Sequence, residues 1–216
     1  MALIRDRLRL YLVTDPALCA QPGLADVVMA AVRGGVTCVQ LRDKTASTQD
    51  RIAAARAVKQ ALANSGVPLI INDDVNAAFA ADVDGIHLGQ GDVTITEARA
   101  RLGPDKIIGL SCETVDQVRA ADPEAVDYLG LGTVFPTTSK ADHKPSIGMD
   151  GLAALARSSG LPCVAIGGLK HDHAAGVLAA GCDGMAVVSA ICGQPDPERA
   201  ARALRHALTV SCGDDR

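Results

Sequence analysis

Eight short apolar runs recur along the chain, over residues 8–13, 36–41, 67–71, 85–88, 106–110, 126–131, 161–166 and 182–187. Each is continuous. A strand with one wet face alternates apolar and polar residues, whereas a strand covered on both faces reads as an unbroken run, the mark of a parallel sheet sheathed by helices. The segments between the runs supply the sheath. Residues 26–31 are helical in composition and stop at Gly34-Gly35, where glycine can take the left-handed cap. Ser47 or Thr48 caps a longer helix with Ile52, Ala55, Val58 and Leu62 on one face and Gly66 as its stop. Further helices are predicted from Val75, over 94–102 and 115–121, from Met149 and over 172–180. A closing helix has Asp196 as cap, Pro197 at its first position and Ala200, Leu204 and Leu208 on its apolar face. The strand–helix unit returns about every 25 residues, which suits a closed (β/α)₈ TIM barrel occupying residues 1–216 as one domain. An open doubly wound sheet competes, but no G-x-G-x-x-G follows the first run, where that fold would place it.

Composition narrows what such a barrel can act on. Aromatic residues make up 2% and there is no Trp, so stacking platforms for single-stranded nucleic acid are not expected. The net charge of −4 argues against a broad nucleic-acid or anionic-membrane footprint. Any anion must then be held by a local group of cations, amides or metal. No run approaches the roughly 18 apolar residues of a membrane span, and the N-terminal stretch MALIRDRLRLYLVTDP has charges inside its apolar part, which does not suit a secretory signal. Seven cysteines without a C-x-x-C pair read as buried free thiols of a reducing, cytoplasmic setting. The sequence neither requires nor excludes a homo-oligomer.

In a (β/α)₈ barrel the C-terminal strand ends and the loops after them form the active site. The second run ends Gln40-Leu41-Arg42-Asp43-Lys44. With period two, Leu41 faces the helices and Gln40 and Arg42 face the barrel mouth. There Arg42 either binds an anion, phosphate being the best fit to its fork, or pairs with Asp43 or Asp15 in a structural salt bridge. The third run is followed by Asn72-Asp73-Asp74 and the fourth by Gln90-Gly91-Asp92. Mg²⁺ takes one or two carboxylates and lets substrate phosphates complete its shell, so Asp73 and Asp92 are the candidate pair, with Asp74 better placed to cap the next helix. His87, inside the fourth run, reads as a hydrogen-bonded core residue. Ser111 either meets substrate or caps the following helix. Glu113 is an acid or base, or a first-turn carboxylate, and Cys112 reads as inert. Gly167-Gly168 and Val188-Ser189 end the last two runs, where barrels of this type often bind a phosphate; ordinary turn glycines are the competing reading.

After the sixth run come roughly 15 residues without periodicity, holding Thr137, Thr138, Ser139 and Lys140. Loops of that length in compact domains are usually lids or binding loops. Together the strand ends suggest two anion sites, one metal-free for a monophosphate and one for a diphosphate at Arg42, Lys44, Asp73, Asp92 and Lys140. A diphosphate neutralised in that way is a good leaving group.

The ordered set YLVTDP, QLRDK, INDD, HLGQGD, GLS, PTTSK, AIGG and DGMAVVSAI resembles the thiamine-phosphate synthase family over nearly the whole chain. The resemblance implies a transferase that joins hydroxymethylpyrimidine diphosphate to a carboxylated thiazole phosphate, giving thiamine phosphate, diphosphate and CO₂. It implies that the segment Gln40, Leu41, Arg42, Asp43 and Lys44, with Asn72, Ser111 and Lys140, contacts the pyrimidine diphosphate. By the same resemblance Asp73 and Asp92 bind Mg²⁺, and Thr137, Thr138, Ser139, Gly168, Val188 and Ser189 hold the thiazole phosphate. Arg42, Lys44, Ser111 and Lys140 are the implied catalytic set. The family's mechanism is dissociative: diphosphate leaves, and the thiazole nitrogen attacks the resulting pyrimidine methyl cation. Two departures stand out. Ser139 replaces a threonine, and Glu113 stands where members often have histidine. A related thiazole tautomerase uses a histidine near that position, so Glu113 argues against that activity. A silent binding barrel and a sugar-phosphate epimerase also compete. The first should show a damaged metal or cation set, and the second needs an acid/base pair for which only Glu113 and His87 are candidates.

Overall fold

A computed structural model describes residues 2–137 and 145–210. Eight parallel strands close into a barrel in sequence order, β1 (Leu10–Val13), β2 (Cys38–Leu41), β3 (Leu69–Asn72), β4 (Gly85–Leu88), β5 (Ile107–Cys112), β6 (Tyr128–Leu131), β7 (Cys163–Ile166) and β8 (Gly184–Val187). β8 returns to pair with β1, placing Leu10 opposite Met185. This is the expected (β/α)₈ TIM barrel, and the continuous apolar runs are explained by its two buried faces. Alternate side chains turn inward to a small core that includes Tyr11, Cys38, Ile70, Tyr128 and Val164. The others turn outward into a much larger core shared with the helices.

The connecting helices are α2 (Leu24–Arg33), α3 (Thr48–Leu62), α4 (Val75–Ala81), α5 (Ile95–Leu102), α6 (Val115–Ala120), α7 (Gly148–Ser158), α8 (Ala174–Ala179) and α9 (Pro197–Val210). On α3, Ile52, Ala55, Val58 and Leu62 are all buried, and Ser47 is the cap, accepting from the Asp50 N–H. Asp74 caps α4 by accepting from the Ala77 N–H at 2.9 Å, and it also binds Thr48 and Arg51.

Several boundaries differ from expectation. A short helix α1 (Ala2–Arg7) precedes β1, where the mixed charges hid it. A 3₁₀ turn, His171–His173, replaces the first turn of the seventh predicted helix. On α9 the buried residue is Ala201 in place of Ala200, with Leu204 and Leu208 as expected. β5 runs on to Cys112, so Ser111 lies within a strand and Thr114 caps α6; the capping reading of Ser111 is overturned. The six described cysteines are free and buried. Among the described residues no helix is long and apolar enough to cross a membrane.

Candidate active site

The C-terminal strand ends open into a cavity of about 550 Å³, large enough for small-molecule substrates. Period two decides who lines it. Gln40 and Arg42 of the β2 end face it, whereas Leu41 is 4% exposed and belongs to the outer core. Asn72, His87 and Ser111 line it from β3, β4 and β5.

Arg42 meets no carboxylate among the described residues. Asp43 spends one oxygen on the Thr45 N–H, the Thr45 hydroxyl and the Ala46 N–H, at 2.9, 2.8 and 3.0 Å. Asp15 accepts from the N–H groups of Ala17 and Leu18. Both proposed salt-bridge partners are thus occupied in shaping their own loops. Asp43 folds the loop after β2 and does not line the cavity, so its placement is that of a positioning group.

Asp73 directly follows Asn72 and adopts a left-handed backbone, φ 64°, which is uncommon for a residue with a side chain. Its N–H donates to the His87 carbonyl at 3.0 Å. Burial, then a hydrogen bond to Asp92 and that group's charge, together raise the Asp73 carboxyl to a pKa of about 6 against the pull of Lys44 and Asn72. Asp92 in turn accepts from the Gly89 N–H at 2.7 Å. Two carboxylates from neighbouring strand ends therefore oppose each other's charge, an arrangement that a divalent cation relieves. Among the described residues no third His, Cys, Asp or Glu joins them. A site with two carboxylates suits Mg²⁺ that takes its remaining ligands from water and phosphate. Lys44 is exposed, and it stands with Asp73 and Asp92 outside the cavity lining.

The opposite wall is built from backbone. Gly167 and Gly168 have φ of 95° and 64°. A Cβ on Gly168 would sit 2.6 Å from the carbonyl oxygens of Phe135 and Pro136, where the loop after β6 passes. Val188 and Ser189 line the same cavity, and Val188 heads a turn in which its carbonyl accepts from the N–H groups of Ile191 and Cys192. Thr137 reaches the same cavity. Thr138, Ser139 and Lys140 lie outside the described residues.

With this geometry in place, comparison with known proteins is decisive. Residues 10–191 match the family model described as thiamine monophosphate synthase. The chain is 53% identical over 204 residues to a thiamine-phosphate synthase of Xanthobacter autotrophicus, covering 94% of this chain and 97% of that one. It is 50% identical over 202 residues to the thiamine-phosphate synthase of a Psychrobacter species, covering 92% and 94%. The chain belongs to the thiamine monophosphate synthase family. It is accordingly a transferase. A thiamine phosphate pyrophosphorylase structure from Pyrococcus furiosus superposes with a TM-score of 0.87 at 35% identity, covering 97% of this chain and all of that one. A 3-hexulose-6-phosphate synthase shares the fold, with a TM-score of 0.69 at 18% identity.

Within this family member, residue-type reasoning missed one group. Gln40 donates to the Tyr11 hydroxyl at 3.0 Å, the Tyr11 and Tyr128 hydroxyls are 2.8 Å apart, and the Tyr128 hydroxyl is 2.9 Å from Nδ1 of His87. Nε2 of His87 is 2.9 Å from the Ser111 hydroxyl. Gly109 makes room for this chain, since a Cβ there would lie 2.1 Å from the Tyr128 ring. A signal existed: the chain has two tyrosines, and both fall on inward positions of predicted strands. Cys112 is buried, and burial followed by the Glu113 charge lifts its pKa to about 11.

Proposed function

We propose that the protein joins hydroxymethylpyrimidine diphosphate to a carboxylated hydroxyethylthiazole phosphate, releasing diphosphate and CO₂ and forming thiamine phosphate. The observation that carries this reading is one cavity with two unlike ends fit for anions. At one end Arg42 meets no carboxylate among the described residues and lines the cavity with Asn72, which Asp73 of the Asp73–Asp92 pair adjoins in sequence just outside the lining. At the other, left-handed glycines and Ser189 offer a cradle suited to a monophosphate.

Asp73 and Asp92 would hold Mg²⁺, which when bound neutralises charge on the departing diphosphate. Arg42 and Lys44 add positive charge at that end, and Ser111 donates a hydrogen bond there. Thr137, Thr138, Ser139, Gly168, Val188 and Ser189 hold the thiazole phosphate, and Lys140 contacts the pyrimidine diphosphate. No nucleophile of the protein is needed: position, charge neutralisation and exclusion of water from a pyrimidine methyl cation supply the catalysis. The buried free thiols support a cytoplasmic setting. The test is Asp92→Ala under a Mg²⁺ titration. Turnover should fall at least about a hundredfold with the fold intact; wild-type turnover at saturating Mg²⁺ would remove Asp92 from the metal site.

A further inference from the structure

We propose that Tyr11 and Tyr128 are positioning residues which, through His87, fix the Ser111 hydroxyl as a hydrogen-bond donor into the cavity. The inference rests on the reading of the cavity as the transfer site, and it comes from counting protons along the buried chain. The Gln40 amide nitrogen can only donate, so the Tyr11 oxygen is an acceptor there. The Tyr11 proton then has two outlets, the Cys38 sulfur, which interacts with it, or the Tyr128 oxygen at 2.8 Å. A thiol sulfur is a weak acceptor, so the proton goes to Tyr128. The Tyr128 oxygen is thereby occupied as an acceptor, and its own proton points to Nδ1 of His87 at 2.9 Å. The ring is then neutral with its proton on Nε2, which donates to the Ser111 oxygen at 2.9 Å. The Ser111 proton is left for whatever occupies the cavity that both residues line.

The direction matters for chemistry. Run the other way, the chain would spend the Ser111 proton on Nε2 and present an acceptor to substrate. A diphosphate oxygen gains negative charge as it leaves, so a donor stabilises the transition state and an acceptor opposes it. The four members that set the direction are nearly sealed from water: Gln40, Tyr11, Tyr128 and His87 are 5, 1, 1 and 7% exposed. Solvent therefore cannot reverse them cheaply.

Tyr128→Phe keeps the ring that Gly109 accommodates and deletes the link. It frees Nδ1 to carry the proton, which turns Nε2 into an acceptor for Ser111. The expected result is a kcat lowered about 10- to 100-fold, the range for loss of an outer hydrogen-bonding partner, with KM for both substrates within about threefold. In a Ser111→Ala background the same substitution should cost nothing further, because it acts through the missing hydroxyl. Full additivity of the two, or a kcat loss that follows thermal stability alone, would overturn the proposal. A second measurement uses the wild-type protein without turnover. Nitrogen-15 NMR of the histidines, with His87 assigned by the resonance lost in His87→Gln, should show Nε2 protonated and Nδ1 bare at neutral pH. A proton on Nδ1 would overturn the proposal even if thiamine phosphate is formed, and the expected tautomer would support it even if the reaction assignment failed.

Discussion

Replacing Arg42 by Gln separates an anion site from a structural ion pair. Arg42 lines the cavity and has no carboxylate partner among the described residues, because Asp43 and Asp15 are engaged by backbone amides of their own loops. Its removal should therefore break no folded-state ion pair, and the melting temperature should stay within about 4 °C of wild type. Substrate binding should suffer instead. A charge-assisted hydrogen bond contributes roughly 1.5–3 kcal/mol, and each 1.4 kcal/mol is about tenfold, so kcat/KM for the pyrimidine diphosphate should drop about 10- to 150-fold. KM for the thiazole phosphate should change less than about threefold, since that anion is assigned to the Gly168 wall. The assay is steady-state kinetics with each substrate varied against saturation of the other, beside a thermal melt. Unchanged kinetics with a melting temperature lowered by more than about 5 °C would refute the reasoning and return Arg42 to a structural role.

Three further outcomes follow from the same geometry. Gly168→Ala forces a left-handed alanine against two carbonyl oxygens at 2.6 Å; a cost of about 1–2 kcal/mol or more should lower the melting temperature by a few degrees and raise KM for the thiazole phosphate, and an unchanged melt would contradict the assigned backbone. Asp73, raised from 3.8 to about 6, gives the metal-free protein a proton-linked stability that is complete below its unfolded pKa and is lost as pH rises through about 6; Mg²⁺ should therefore raise the melting temperature at pH 8 and much less at pH 5, while equal shifts at both would contradict the raised Asp73 carboxyl. Ser47→Ala removes the cap of α3 and should cost about 1 kcal/mol in chemical denaturation without altering kinetics; no change would mean the Asp50 N–H finds another acceptor.

The barrel was legible because its strands are buried on both faces, and burial on both faces is written as unbroken apolar runs. The inward turn of Gln40 and Arg42, with Leu41 facing out, followed from period two. The carboxylate pair followed from its position at two neighbouring strand ends, and the place of the glycine pair at the cavity followed from its position at the end of the seventh run. What stayed hidden depends on distance across the barrel. Tyr11 and Tyr128 are 117 residues apart and meet only because β1 and β6 face each other through the interior. The sequence could not show that Asp43 and Asp15 would be used by their own loops, which is what leaves Arg42 for the cavity. Ser111 read as a cap because nothing in its neighbourhood signals that β5 continues to Cys112 and that Thr114 takes the capping role.

The central claim is that one cavity joins the two heterocycles with loss of diphosphate. The purified protein should be given both substrates, first with Mg²⁺ and then with EDTA, while diphosphate and thiamine phosphate are both measured. Mg²⁺-dependent release of diphosphate, with thiamine phosphate formed in equal amount, is the predicted result. No diphosphate release, with both substrates shown to be intact, would contradict the account.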